Sequence, residues 1–180
     1  LDRGFRGETV LIDLRSEPLA LAEKTALFNG FSGVRCIQAD VASYRGEKLF
    51  DAVVCNPPFF SERDKPQDRD RSAVRHENGL GPAELCAAAA ANLKQKGHFY
   101  VCYTPSRLTD MLCAMREKGL ESKRIRFCRH EEGREPFLVL IDAIYKGGRG
   151  LSVLPDLLVK GRDGNYTPEM EEICERGYDQ

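Results

Sequence analysis

The chain reads as an α/β protein built on an open, doubly wound sheet with one reversed edge strand. Three observations predict this. Short apolar runs alternate with helical patterns from residue 9 to residue 118. Successive runs end in Asp13, in Asp40 and in Asn56-Pro57-Pro58, which puts polar residues at strand ends. The last two long runs flank Glu131-Glu132-Gly133-Arg134, a hairpin signal that makes them antiparallel.

Thr9–Asp13 is a short apolar run with the look of a buried strand. Ser16 is placed to cap a helix, with Glu17 and Pro18 in its first turn. Leu19, Ala22, Ala26 and Leu27 recur at helical spacing, and Asn29-Gly30 stops the helix. Residues 34–40 form a second strand and Phe50–Cys55 a third. Residues 61–81 are polar, mixed in charge and without period, which predicts a long loop of the kind that is functional or mobile. Pro82 opens an alanine-rich helix to about Lys94, and Gly97 turns into a strand over 98–103. Thr104-Pro105 starts a helix that Gly119 ends. Residues 123–128 and 137–145 are the hairpin strands. A last strand is expected over 151–159, and Thr167-Pro168-Glu169 caps a final helix. The whole, residues 1–180, reads as a single domain with a tail over 147–180.

Bulk composition narrows the function classes. The chain has 180 residues, 42% hydrophobic and 31% charged, which suits a globular domain rather than a disordered one. No apolar run reaches the roughly 20 residues that span a bilayer. A net charge of -1 gives no global pull toward nucleic acid, so any such contact needs a local patch. The seven cysteines show no C-x-x-C pair and no zinc spacing, so no metal is expected. Reduced thiols in a cytoplasmic protein are the expected state. The opening Leu-Asp-Arg-Gly-Phe-Arg-Gly lacks a signal-peptide apolar region and reads as the end of a helix, so the chain is expected to begin inside a domain.

Ligands of open α/β sheets bind outside the carboxyl ends of the strands. A planar amine is a poor nucleophile because its lone pair is delocalised. Two acceptors on its hydrogens favour a pyramidal nitrogen and stabilise the positive charge that develops when it attacks an electrophilic methyl group. The Asn56 side-chain oxygen and the Pro57 carbonyl are the candidate acceptors, held by the stiffness of Pro57-Pro58. Phe59 offers a flat face for a base, worth ~1–3 kcal/mol in single-stranded nucleic-acid sites. A rigid turn over a buried Phe is the bland alternative. Asp13 is placed to accept two ribose hydroxyls, or simply to cap its loop. Asp40 is placed to accept from an adenine amino group with Val41 lining the slot, or simply to form a turn.

Asp13, Asp40 and Asn56-Pro57-Pro58-Phe59, in this order and spacing, resemble the amino methyltransferases of the Rossmann-like class, which use S-adenosyl-L-methionine. The continuation is similar to the bacterial tRNA(Val) adenine-N6 methyltransferase group. It comprises Phe59-Phe60, the 73–77 stretch with Arg75-His76, the 120–127 stretch, Gly147-Gly148-Arg149-Gly150-Leu151, Leu154-Pro155 and Tyr166-Thr167-Pro168-Glu169. The resemblance implies a Rossmann-like methyltransferase sheet and methyl transfer to N6 of an adenine in RNA, with tRNA as partner. It assigns catalysis to Asn56, Pro57 and Phe59, cofactor contacts to Asp13, Asp40, Val41 and Asn56, and substrate contacts to Pro58, Phe60, Arg75 and His76. Phe59 stands where relatives often carry Tyr. The acidic-Gly-x-Gly loop of the class has no counterpart in the sequence, so the first strand and its glycine loop are expected to be missing. Amide methylation of a release-factor glutamine and an incompetent fragment remain the alternative readings.

For RNA contact, Arg75-His76 follows the Asn-Pro-Pro turn, although Arg75 equally suits an ion pair with Glu77. Arg124 and Arg126 should share one strand face, with Ile125 and Phe127 on the other. Such a basic face tracks a phosphate backbone, or merely protects a solvated edge.

Overall fold

The structure is a computed structural model that describes residues 7–57 and 80–175. In chain order it comprises β1 (Thr9–Asp13), α1 (Ser16–Phe28), β2 (Val34–Gln38), β3 (Phe50–Cys55), α2 (Pro82–Asn92) and β4 (Leu93–Tyr103). A 3-10 turn (Pro105–Arg107) leads into α3 (Leu108–Glu117), then β5 (Leu120–Arg129), β6 (Leu138–Tyr145), β7 (Ser152–Val153), β8 (Leu157–Leu158) and α4 (Pro168–Glu175). No helix among the described residues is long and apolar enough to cross a membrane.

Period-2 alternation decides the main sheet. Along β4, Phe99, Val101 and Tyr103 are buried while His98, Tyr100 and Cys102 are half-buried. The buried face packs under α2 and α3, where Leu85, Cys86, Met111 and Met115 meet Leu120, Ile125, Val139 and Ile141. Burying a side chain of this size stabilises by ~1.5–3 kcal/mol, and the contiguous cluster makes this sheet the core of the molecule. The opposite face carries no such helices among the described residues, and Val54 on it stays 77% exposed.

The sheet is mixed, in the order β3-β4-β6-β5-β7, with β8 also on β5. β3 runs parallel to β4, whereas β6 is antiparallel to both β4 and β5. The reversed strand is therefore interior and not at the edge, as the sequence suggested. The β5–β6 hairpin folds back so that its second strand, the more apolar one, inserts beside β4. The expected strand over 151–159 is two short pieces, each parallel to β5. Pro155, which has no N–H to donate, lies between them. β4 begins directly at Leu93, with a register break against β3 and a left-handed Lys96 (φ 68°) before Gly97.

β1 and β2 form a separate parallel pair. Among the described residues, β1 hydrogen-bonds as a strand only to β2, and β3 only to β4. Asn92, at the end of α2, ties the loop after β2 to the core. Its side-chain oxygen accepts the Gly46 N–H at 2.8 Å, and its amide donates to the Tyr44 carbonyl at 3.1 Å and the Ala88 carbonyl at 2.9 Å. Gly46 is required there, because a Cβ would sit 2.8 Å from the Lys48 carbonyl oxygen and 2.9 Å from the Phe50 ring.

Candidate functional site

Asp13 and Asp40 come together because β1 and β2 are in parallel register, with Asp13 opposite Gln38 and its carbonyl accepting the Ala39 N–H at 3.1 Å. Each carboxylate spends one oxygen on its own loop. Asp13 Oδ1 accepts the Arg15 N–H at 2.8 Å, and Asp40 Oδ1 accepts the Ala42 N–H at 2.9 Å. Asp13, not Ser16, thus organises the start of α1. Arg15 holds the N-cap position without a side-chain cap bond, and Ser16 is already helical. Oδ2 of Asp13 and of Asp40 takes no hydrogen bond from the described residues. Both side chains and Val41 are partly exposed. Two carboxylates at the ends of neighbouring strands, each with an oxygen unused by the described residues, beside a half-exposed Val, suit a nucleoside: a diol donates to one, an amino group to the other. This pair of acceptors fits the nucleoside end of S-adenosylmethionine. No residue of the described part offers the glycine cradle that its methionine end requires.

Asn56 follows β3 directly and is exposed, while Pro57 behind it is buried. The β3–β4 register, Cys55 opposite Val101, sets Asn56 beside Cys102. The Cys102 thiol lies 2.8 Å from Asn56 Oδ1 and donates to it. Burial raises the Cys102 pKa above its usual value, against a lowering by its own backbone hydrogen bond, so the group stays a thiol at neutral pH. Cys55, on the core side, is pushed up to about 11 by burial and by Cys102 nearby.

Asn56 borders a cleft of about 400 Å³ on the open face of the sheet, lined also by Val54, Tyr100, Cys102, Leu140 and Leu154. Arg124, Arg126 and Asp142 line it as well, so Arg124 and Arg126 share a face, with Ile125 buried and Phe127 packed on the core side. Their charges, however, are compensated. Arg124 donates to Asp142 Oδ2 from Nε at 2.9 Å and Nη2 at 2.7 Å, and Asp142 Oδ1 meets His98 Nδ1 at 2.8 Å. Arg126 makes a two-pronged contact with Glu169 at 2.6 and 2.7 Å and donates to the Pro155 carbonyl at 2.8 Å. Arg116 pairs with Glu121 and Arg129 with Asp156. The basic stretch of the sequence is therefore largely an internal ion-pair system, although the Arg124 side chain remains 55% exposed.

Pro58, Phe59, Phe60, Arg75 and His76 lie outside the described residues. The structure collects the remaining site residues into two groups, Asp13, Asp40 and Val41 on the β1–β2 pair and Asn56, Arg124 and Arg126 around the cleft. Cys102, Asp142 and Asn92 escaped the sequence reading. Asp142, inside the apolar run Val139-Leu140-Ile141-Asp142-Ala143-Ile144, carried a signal, since a carboxylate there needs a buried partner. Cys102 carried none, because its role depends on the strand beside it.

Among known proteins, the chain is 28% identical over 139 residues to the tRNA1(Val) (adenine(37)-N6)-methyltransferase of Phocaeicola vulgatus, covering 77% of this chain and 58% of that protein. The protein of the same description from Shewanella sp. (strain MR-4) is 27% identical over 138 residues, covering 77% and 57%. The chain thus spans a little over half the length of these curated relatives. In fold it matches the crystal structure of a predicted O-methyltransferase from Agrobacterium tumefaciens, with a TM-score of 0.72 at 16% identity, over 94% of this chain and 77% of that one. It also matches the ribosomal protein L11 methylase of Lactobacillus delbrueckii subsp. bulgaricus, with a TM-score of 0.55 at 14% identity, over 78% and 58%. The α/β fold with a mixed sheet is that of S-adenosylmethionine-dependent methyltransferases. Residues 2–112 match the methyltransferase small domain, and the chain belongs to that family of S-adenosylmethionine-dependent methyltransferases.

Proposed function

We propose that the protein methylates the exocyclic N6 amine of an adenine in RNA, with tRNA as the substrate. One observation carries the reading: Asn56 stands exposed at the end of β3, on a buried proline, with its oxygen oriented by a neighbouring donor. When bound, S-adenosylmethionine supplies an electrophilic sulfonium methyl. Asp13 and Asp40 hold its nucleoside end. Asn56 Oδ1 and the Pro57 carbonyl accept the two amine hydrogens, which draws the lone pair out of the ring system and offsets the charge that grows on nitrogen. Phe59 stacks the base. The surplus proton leaves to water, so no general base is needed. Among the described residues β1 and β3 each pair on one side only, which leaves room beside them for a further strand.

The apolar cleft and the compensated arginines favour a second reading, transfer to a glutamine amide in a peptide, which needs the same two acceptors and no basic face. The full-length protein with radiolabelled S-adenosylmethionine, offered unmodified tRNA and unmodified release factor, separates the two. Label in N6-methyladenine of tRNA is the expected result, abolished by Asn56→Ala. Label in protein alone replaces the first reading with the second.

A further inference from the structure

We propose that Cys102 is a positioning residue for the transfer, its thiol presenting Asn56 to the substrate amine with the oxygen side forward. The inference rests on the reading of Asn56 as an acceptor. An asparagine amide has an oxygen that accepts and a nitrogen that donates, and a half-turn exchanges them. Only the oxygen serves an amine whose hydrogens must be held. A nitrogen in that place would oppose N–H to N–H. Asn56 is exposed and follows the last residue of β3, so strand pairing alone does not choose between the two faces.

Cys102 makes the choice. It lies one residue past Val101, the partner of Cys55 in the parallel register, and so directly beside Asn56. Its sulfur is 2.8 Å from Asn56 Oδ1. Burial favours the protonated thiol, so the group donates rather than accepts. One lone pair of Oδ1 takes the S–H, and the other is left for the substrate. A thiol suits this place better than a charged donor. It points the oxygen without competing strongly for it, and it adds no charge beside the forming cation. The Cys55 carbonyl is the other acceptor within reach of the thiol, at 3.9 Å, and Asn56 Oδ1 is the nearer. Cys102 touches no reacting atom and acts through Asn56.

Steady-state kinetics and infrared spectroscopy on the full-length protein test this. Cys102→Ala should lower kcat by about 5- to 10-fold, the scale of one lost neutral hydrogen bond, and leave the tRNA KM within about twofold. Cys102→Ser retains a donor and should recover most of that loss. If Cys102 merely packs, a hydroxyl on this apolar face does no better than Ala, and equal rates for Ala and Ser overturn the proposal. Full activity of Cys102→Ala beside an inactive Asn56→Ala overturns it too, and leaves the role of Asn56 standing. An active Asn56→Ala removes the acceptor reading itself. Independently of turnover, the S–H stretch of Cys102, identified by difference against Cys102→Ala, should move to higher frequency in Asn56→Leu as the hydrogen bond is lost. A band that does not move overturns the contact.

Discussion

Asn92 shows how one side chain serves the site from a distance. It is buried, and both its side-chain polar atoms bond the loop that follows Asp40 and Val41. Asn92→Leu would orphan the Gly46 N–H and leave the Tyr44 carbonyl to Arg45 Nη1 alone, so the expected loss is about 1–3 kcal/mol in urea denaturation. Affinity for S-adenosylmethionine should fall with it, because the Asp40 loop loses its anchor. Unchanged affinity in a folded Asn92→Leu protein would mean that the loop holds its shape alone. Arg124 and Arg126 make a second contrast. Both were legible as a basic pair on one strand face, but their partners Asp142 and Glu169 lie 18 and 43 residues away in sequence. If Arg124, the more exposed, still meets RNA, Arg124→Ala should reduce the salt dependence of tRNA binding while Arg126→Ala leaves it unchanged. Equal slopes for wild type and both variants take this face out of the interface.

At the scale of elements, the tail is a parallel extension of β5. Leu154 donates its N–H to the Ile125 carbonyl at 2.9 Å and Val159 to that of Arg129 at 2.9 Å. Thr167 starts α4 by accepting the Met170 N–H at 3.3 Å, as its position before Pro168 suggested. Arg126 then clamps α4 through Glu169. The Arg126 hydrogen bond holds the Glu169 carboxyl below its usual pKa, against a small opposing effect of burial. The depressed value means that this pair stabilises the tail at neutral pH. That contribution fades as pH falls from the ordinary glutamate value of about 4.3 through the lower folded one. Both partners touch solvent, so the effect is modest, ~0.5–1 kcal/mol. Glu169→Gln should reproduce it at pH 7, as faster amide exchange over 157–171 with little change in β4 or β6. Exchange as slow as in the wild type would show that the β5 pairing holds the tail without the clamp.

For the whole molecule, the division of the strands matters most. The β4–β6–β5 core is roofed by α2 and α3, whereas β1, β2 and α1 contribute only Leu19 and Ala26 to the buried apolar residues. Few buried contacts mean a low local opening free energy. Amides of β1 and β2 should therefore exchange well before those of β4 and β6. Uniform protection across both would contradict this division. The described residues offer candidate contacts to the nucleoside end of S-adenosylmethionine alone, so the 180-residue chain is expected to show little rise in melting temperature with it. A clear cofactor-dependent shift in scanning fluorimetry would disprove that.

Much was already written in the amino-acid order. Periodicity placed β1, α1, β3, α3 and the β5–β6 hairpin, because period 2 against period 3.6 is a local property of apolar residues. The Asn56-Pro57-Pro58-Phe59 string and the two strand-end aspartates pointed to the chemistry proposed here, because strand ends in such sheets are where ligands sit. Tertiary structure alone decided that β6 lies inside the sheet, that the arginines of β5 answer to Asp142 and Glu169, and that a cysteine one strand over lies against Asn56. Pairing partners are chosen by burial and hydrogen-bond satisfaction across the assembled sheet, and no window of neighbouring residues contains that information.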